Sequence, residues 1–162
     1  MKVSIIYHSE TGNTARMAAL VDEGCKKAGG VETKLMPLGE VDAEFLAESP
    51  VVLFGSPNYE GNMSWQMKKF FDSSECRVKG KLGGVFVTQN WPGGGGGSFV
   101  EMGMIAAMLV RGMMIYSGGM AEPAPMIHFG AVARQTPEGI DKERAVQFGR
   151  NLANKGKELF GR

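Results

Sequence analysis

The chain has 162 residues, 43% hydrophobic and 22% charged, which is the composition of a folded globular protein and argues against general disorder. Its 18 basic and 17 acidic side chains leave a net charge of +1, so neither nucleic acid nor a membrane surface is expected as a partner. Only two cysteines and two histidines are present, and no Cys-x-x-Cys occurs, which disfavours a zinc or iron–sulfur site.

Strand and helix patterns alternate from one end of the chain to the other. In chain order the sequence predicts a strand at 3–7, a helix through 17–28, a strand at 31–36, a short helix near 43–47, a strand at 51–55, a helix through 63–71, a strand at 82–89, a helix at 98–110, a strand at 113–116 and a final helix at 141–160. Residues 118–139 are expected to be long and irregular.

This alternation predicts one α/β domain over residues 1–162, with a parallel sheet covered by helices on both faces. The first apolar run turns polar at His8, too early for a signal-peptide core, and no apolar stretch reaches transmembrane length. We therefore expect a cytoplasmic protein with reduced thiols.

Ligands of such sheets bind beyond the carboxyl ends of the strands. The loops that follow the first, third and fourth predicted strands lie at that edge, and they are the loops richest in Gly, Asn, Ser and Thr. The functional prediction rests on this coincidence.

The first of these loops, Ser9-Glu10-Thr11-Gly12-Asn13-Thr14, opens directly into a helix. Backbone N–H groups, three hydroxyls and the positive helix N-terminus would converge there on a phosphate dianion, without help from Lys or Arg. Simple N-capping is the structural alternative, but it would explain one hydroxyl rather than the whole run. Neither a P-loop nor a Gly-x-Gly-x-x-Gly fingerprint is present, so the site is expected to take one terminal phosphate.

The loop 9–14 resembles the phosphate loop of flavodoxins. Residues 55–64, with 66–68 and 70–72 behind them, are similar to the tryptophan-repressor-binding-type NAD(P)H:quinone oxidoreductases and the related NADPH-dependent FMN reductases. The likeness continues through Gly80-Lys81, Gly83, Val85-Phe86, Gly112-Met113 and Phe129-Gly130-Ala131. It implies a flavodoxin-like three-layer sandwich with five parallel strands in the order 2-1-3-4-5. It also implies bound FMN, NAD(P)H as electron donor and a quinone-like acceptor.

The resemblance also assigns roles to individual residues. Those expected to hold the FMN phosphate are Ser9, Thr11, Gly12, Asn13 and Thr14. Those expected along the isoalloxazine ring are Pro57, Asn58, Tyr59, Gly61 and Asn62. Those expected to cover the ribityl chain and the other side of the ring are Thr88, Gln89, Asn90, Trp91 and Gly93. No catalytic acid or base is expected, because the flavin itself accepts and releases hydride.

Several single residues are open to more than one interpretation. Trp91 and Tyr59 are interpreted as stacking on the flavin, with core packing as the alternative. Arg111 stands where many of these reductases have a histidine that helps hold nicotinamide, and His128 is as consistent with a site role as with a structural one. Cys25 is expected to be buried and inert, and Cys76 to be an exposed thiol without a role.

Within the helix at 98–110, residues 102–110 are apolar on all sides, which is more than one sheet contact can cover, and this predicts a dimer or tetramer. Two specific functions remain open, beside the general interpretation of an FMN-binding protein of unassigned activity. One is an FMN-dependent oxidoreductase that passes hydride from NAD(P)H to a quinone or similar acceptor. The other is a flavodoxin-type carrier of electrons between protein partners, against which the near-neutral charge argues, since such carriers tend to be acidic.

Overall fold

A computed structural model of the chain describes residues 1–91 and 96–161. The strands are β1 (Lys2–Tyr7), β2 (Glu32–Pro37), β3 (Val51–Tyr59), β4 (Asn62–Met63), β5 (Leu82–Gln89), β6 (Met114–Ile115) and β7 (Ala131–Arg134). The helices are α1 (Asn13–Lys27), α2 (Ala43–Glu48), α3 (Trp65–Asp72), α4 (Gly96–Val110) and α5 (Gly139–Phe160).

The sheet runs in the order β2-β1-β3-β5-β6, and every pair along this path is parallel. This arrangement confirms the predicted α/β fold and the strand order 2-1-3-4-5, because β5 and β6 are the fourth and fifth strands of the prediction. The short strand β4 lies outside this path and pairs antiparallel with the end of β3.

Helices cover both faces of the sheet. On one face, the core combines α2, α3 and α4 through side chains such as Phe45, Phe71 and Met104. On the other face, it combines α1 and α5 through side chains such as Met17 and Phe148. Two separate apolar cores therefore hold the central strands from either side, as expected for parallel strands that are buried on both faces.

Helices α1 and α5 approach each other at two glycines. A Cβ on Gly24 would stand 1.9 Å from the carbonyl oxygen of Val146, and a Cβ on Gly149 would stand 2.0 Å from that of Val21. No side chain fits at these distances, so the backbones themselves are in contact. The close crossing fixes α1, whose first turn belongs to the candidate site, against the rest of the fold.

The strand beside β5 at the edge of the sheet consists of two short strands, β6 and β7. β6 pairs with the start of β5, where Leu82 faces Met114, and β7 pairs with its end, where Gln89 faces Arg134. Between the two half-strands the chain makes an excursion over residues 116–130, with the Ser117 hydroxyl donating to the carbonyl of His128 at 2.6 Å. The prediction that 118–139 is irregular was therefore wrong for β7, and the predicted strand at 113–116 is shorter.

Other boundaries also differ from the prediction. β3 continues four residues past Gly55, and the segment predicted as a loop is the turn of a hairpin formed by β3 and β4. Met63 belongs to β4 rather than to the following helix, and α4 begins two residues before the predicted start at 98. Within the described residues, no helix combines the length and apolarity needed to cross a membrane.

Both cysteines are buried and unpaired. Burial raises the pKa of Cys25 to about 12, as suits the inert core residue that was predicted. Cys76 is only 3% exposed, and burial raises its pKa to about 11, so the expectation of an exposed thiol was wrong. The segment that follows α3 folds back against the core and covers this side chain.

Candidate functional site

The carboxyl ends of β1, β3, β5 and β7 meet at one edge of the sheet because these strands are parallel. A cleft of about 90 Å³ opens at this edge. Its walls are Glu10, Thr11, Asn13, Thr14, Pro57, Asn58, Tyr59, Thr88, Gln89 and Asn90. The three loops chosen from the sequence therefore do converge, and nine of these ten residues were predicted site residues.

The start of α1 forms one end of the cleft. Gly12 precedes the helix at φ +88°, a left-handed conformation that glycine adopts without strain. The N–H of Ala15 donates to the Ser9 hydroxyl at 3.2 Å. The N–H groups of Asn13 and Thr14 have no hydrogen-bond acceptor among the described residues. No acidic residue occupies the first turn. Free donors at a helix N-terminus are suited to an anion.

The floor of the cleft is held by two buried hydroxyls. Thr14 Oγ1 and Thr88 Oγ1 are 2.8 Å apart and are 1% and 3% exposed. This bond joins the first turn of α1 to the end of β5. It places the loop after β1 and the loop after β5 at a fixed separation.

The hairpin of β3 and β4 forms the opposite wall. Its turn uses Glu60 and Gly61, both at positive φ, and the N–H of Gly61 donates to Asn58 Oδ1 at 3.0 Å. Behind it, the Ser56 hydroxyl accepts from the N–H of Ser64 at 2.9 Å and donates to the Pro57 carbonyl at 2.8 Å. The hairpin is therefore fixed by its own polar side chains, and it presents the ring of Tyr59 to the cleft.

A carboxylate that the sequence analysis did not select lies beside this ring. Glu10 Oε1 is 3.4 Å from His8 Nε2 and accepts from Gln66 Nε2 at 3.2 Å. Burial and then the Glu10 carboxylate raise the pKa of Tyr59, so the phenol stays protonated at neutral pH. The His8 and Tyr59 rings meet edge to face, with centroids 6.5 Å apart. Glu10 thus links the loop after β1 to the hairpin.

A second, wider cavity of about 510 Å³ adjoins the cleft. Asn58, Tyr59, Glu60, Gly61, Asn90 and Trp91 line it. Trp91 is 82% exposed, so its indole is available to pack against a ligand. The two spaces together offer an anion site at the helix start and a broad opening between two aromatic side chains, which suits a planar molecule with one phosphate arm.

The remaining predicted residues lie as follows. Ser9 accepts from the first turn of α1, and Gly12 forms its N-terminal boundary. Asn62 lies in β4 beside the wider cavity without lining it, and Gly93 lies outside the described residues. Arg111 lies at the opposite edge of the sheet, where its guanidinium donates to the carbonyls of Phe71 and Ser73, so in this chain it binds the end of α3.

Comparison with known proteins decides the family. The sequence profile of the flavodoxin family matches residues 5–103. The chain belongs to the flavodoxin family. A curated flavodoxin from Clostridium saccharobutylicum is 44% identical over 99% of this chain and 100% of its own length. An NAD(P)H dehydrogenase (quinone) from Archaeoglobus fulgidus is 28% identical over 98% of both chains. The flavodoxin, WrbA-like protein of Agrobacterium tumefaciens superposes with a TM-score of 0.80 over 97% of this chain and 98% of its own, at 24% identity.

The flavodoxin family implies FMN as cofactor, and the geometry of this flavodoxin-family chain fits that molecule. The start of α1 supplies N–H donors without a protein acceptor, as a phosphate requires. The cleft adjoins the cavity of about 510 Å³ that Tyr59 and Trp91 line, which has the volume for a tricyclic ring. When bound, FMN would supply the redox chemistry, and the chain's own residues would bind and orient it.

One residue of this flavodoxin-family chain contacts the loop 9–14 and was missed by the sequence analysis. Arg16 lies in the first turn of α1, and its guanidinium folds back over Gly12, with Nη1 3.5 Å from the place a Cβ would occupy there. The sequence analysis expected the phosphate to be held without Lys or Arg, and it did not consider this side chain. The available signal was the position of Arg16 four residues after Gly12, since helical side chains point towards the N-terminus.

Proposed function

We propose that this flavodoxin-family chain, as a single domain over residues 1–162, binds one FMN at the carboxyl edge of its sheet and transfers electrons through it. The observation that carries the proposal is the cleft that joins the start of α1 to the β3–β4 hairpin. Nine predicted site residues line this cleft, and at its anion end the N–H groups at the start of α1 are available to donate to a ligand. We also propose a cytoplasmic protein, because its two cysteines are unpaired thiols.

The first candidate role is that of an electron carrier between protein partners. It is supported by the relative from Clostridium saccharobutylicum, which is named a flavodoxin and is 44% identical over the whole of its length. The exposed indole of Trp91 at the mouth of the site would be accessible to a docking protein.

The second candidate role is hydride transfer from NAD(P)H through FMN to a quinone-like acceptor. It is favoured by the cavity of about 510 Å³ beside Tyr59 and Trp91, which offers a small molecule access to the ring. Relatives at 28% to 34% identity carry the name NAD(P)H dehydrogenase (quinone) or flavodoxin, so family membership is consistent with either role.

One anaerobic experiment separates the two roles. The FMN-loaded protein is mixed with NADH or NADPH, and the visible flavin band is followed before and after addition of benzoquinone. Bleaching by a nucleotide and recovery with benzoquinone support the enzyme. No bleaching, together with two resolved one-electron steps in a potentiometric titration, supports the carrier. Protein that stays colourless after dialysis against FMN contradicts both roles.

A matched pair of tryptophan variants tests the location of the ring. Trp91→Ala is expected to weaken FMN binding, because it removes an aromatic side chain from the wall of the wider cavity. Trp65→Ala is the control, since this indole is 66% exposed on α3 and lines neither the cleft nor the wider cavity. Equal FMN affinity in the two variants would contradict the proposed position of the ring.

We further propose that the protein forms a homo-oligomer through α4. Five exposed apolar residues follow one another at helical spacing along its outer face: Phe99, Met102, Ala106, Leu109 and Val110. The charged residue of this helix, Glu101, is buried, so the stripe carries no charge that would select a charged partner. An uncharged helix face is suited to pairing with its own copy across a two-fold axis.

Light scattering after size exclusion tests this contact. The protein is expected to be a dimer or larger at micromolar concentration, and Leu109→Lys is expected to be a monomer. Leu159→Lys is the control, because Leu159 is a comparably exposed leucine on α5. A monomeric parent protein, or dissociation by both substitutions alike, would remove the proposal.

A further inference from the structure

We infer that Arg16 is a phosphate-recognition residue, whose guanidinium contributes positive charge to the site that takes the terminal phosphate of FMN. The inference rests on the proposed binding of FMN and deepens it. It assigns a role to a side chain outside the loop that the family resemblance selected.

The position of Arg16 over the phosphate loop is the first observation. Atoms Nη1, Cζ and Nη2 lie 3.5, 3.7 and 3.7 Å from the place that a Cβ on Gly12 would occupy. The same group donates from Nη1 to Asn13 Oδ1 at 3.1 Å. Arg16 is otherwise exposed to solvent. Its guanidinium therefore lies over Gly12 and is hydrogen-bonded to the side chain of Asn13, the first residue of α1.

The charge balance of this region is the second observation. The same loop carries the Glu10 carboxylate, which would repel a phosphate dianion. The acceptor of Arg16 is a neutral amide oxygen, and no carboxylate of residues 1–91 and 96–161 lies within salt-bridge distance of it. The charge of Arg16 is thus left available for an anion and offsets that of Glu10.

The third observation is a hydrogen bond that joins Asn13, the partner of Arg16, to the segment after β7. Asn13 Oδ1 also accepts from the Thr136 hydroxyl at 3.4 Å, so the amide that holds Arg16 is itself tied to the segment after β7. Arg16 is therefore held at the loop through a side chain that is fixed from two directions. A freely moving surface arginine would lack this arrangement.

The decisive variant is Arg16→Gln, which keeps a donor for Asn13 and removes the charge. Dissociation constants of FMN and of riboflavin, which lacks the phosphate, are measured on cofactor-free protein by flavin fluorescence at low and high salt. We expect FMN binding to weaken about fivefold at low salt, the range of an exposed ion pair. Riboflavin binding should not change, and the salt dependence of FMN binding should decrease.

Two further variants complete the test. Arg16→Lys should restore most of the FMN affinity, because it returns the charge. Arg77→Gln makes the same exchange on an exposed arginine at the opposite edge of the sheet, before β5, and should leave both constants unchanged.

The outcomes are distinguishable. If Arg16→Gln weakens FMN and riboflavin alike, or neither, the residue does not recognise phosphate and the inference is overturned while the proposed function stands. If the parent protein captures no FMN at all, the proposed function fails and this inference fails with it.

Discussion

Replacing Glu101 with glutamine is expected to stabilise the folded protein at alkaline pH and to change little in acid. Glu101 lies on α4, is 3% exposed, and has one carboxyl oxygen, Oε1, that is buried without a hydrogen-bond partner. Burial raises the pKa of this carboxyl from 4.5 to about 7, against the smaller opposing effect of the Gly130 backbone N–H. His128 and Arg144 are the other titratable or charged side chains that line the cavity beside it.

The magnitude follows from the pKa. The folded protein holds the Glu101 proton more tightly than the unfolded chain does, so its stabilising contribution is complete below about pH 4.5. The contribution is lost as the pH rises to about 7, and it stays lost above that value. Because one pH unit corresponds to 1.36 kcal/mol, the loss amounts to at most about 3 kcal/mol. Glutamine has nearly the same shape and carries no charge at any pH.

Urea unfolding of the cofactor-free parent and variant at about pH 5 and about pH 8 measures this difference. The free energy of unfolding of Glu101→Gln should exceed that of the parent by about 1 to 3 kcal/mol at the higher pH and by much less at the lower. Glu143→Gln, an exposed substitution on α5, is the control and should show no such pH dependence. An equal difference in the free energy of unfolding at both pH values would refute the assignment of a buried carboxyl with a raised pKa.

Two glycine substitutions test the backbone of the site and of the helix pair. Gly12→Ala should weaken FMN binding and cost about 1 to 2 kcal/mol of stability, because φ is +88° there. The control is Gly39→Ala, at φ +96° in open space, which should cost similar stability and leave FMN affinity unchanged. Equal losses of FMN affinity in the two variants would contradict the role of Gly12. Gly24→Ala should destabilise by several kcal/mol in urea unfolding, at about the upper end for single substitutions, since its Cβ would stand 1.9 Å from the carbonyl oxygen of Val146. Gly103→Ala on α4 is the control, because there is room for the methyl group, and it should raise the free energy of unfolding by about 0.5 to 1 kcal/mol. A loss of stability in Gly103→Ala as large as that in Gly24→Ala would disprove the steric explanation.

The sequence predicted the parts of the fold that depend on local pattern. The apolar runs of β1, β3 and β5 and the periodicity of α1 and α5 were sufficient for the α/β class, and the resemblance supplied the strand order. β7 was missed because Ala131-Val132-Ala133-Arg134 is a weak strand former among Gly and Pro, and it becomes a strand through pairing with β5. The extension of β3 was missed because the predicted strand at 51–55 ended where the apolar run gives way to Ser56-Pro57.

The sequence predicted the parts of the candidate site that depend on the backbone. It predicted less well the parts that depend on the direction of individual side chains. Three loops at one edge were enough to find the cleft. The position of Glu10 depends on which way an exposed loop side chain turns, and a linear pattern does not contain that information. Arg16 could have been found, because its place four residues after Gly12 on a helix directs its side chain back towards that glycine. Cys76 was misplaced for a related reason, since its polar neighbours gave no sign that the segment folds back onto the core.

The division of the outer strand into β6 and β7 has a practical consequence for engineering. Each half is hydrogen-bonded to β5 on its own, and the excursion between them is closed at its base by Ser117 and His128. Inserting residues at an exposed position of this excursion, such as Met120, would leave the register of both halves untouched. The excursion is therefore a point at the edge of the sheet where a new segment could be grafted without rebuilding the scaffold.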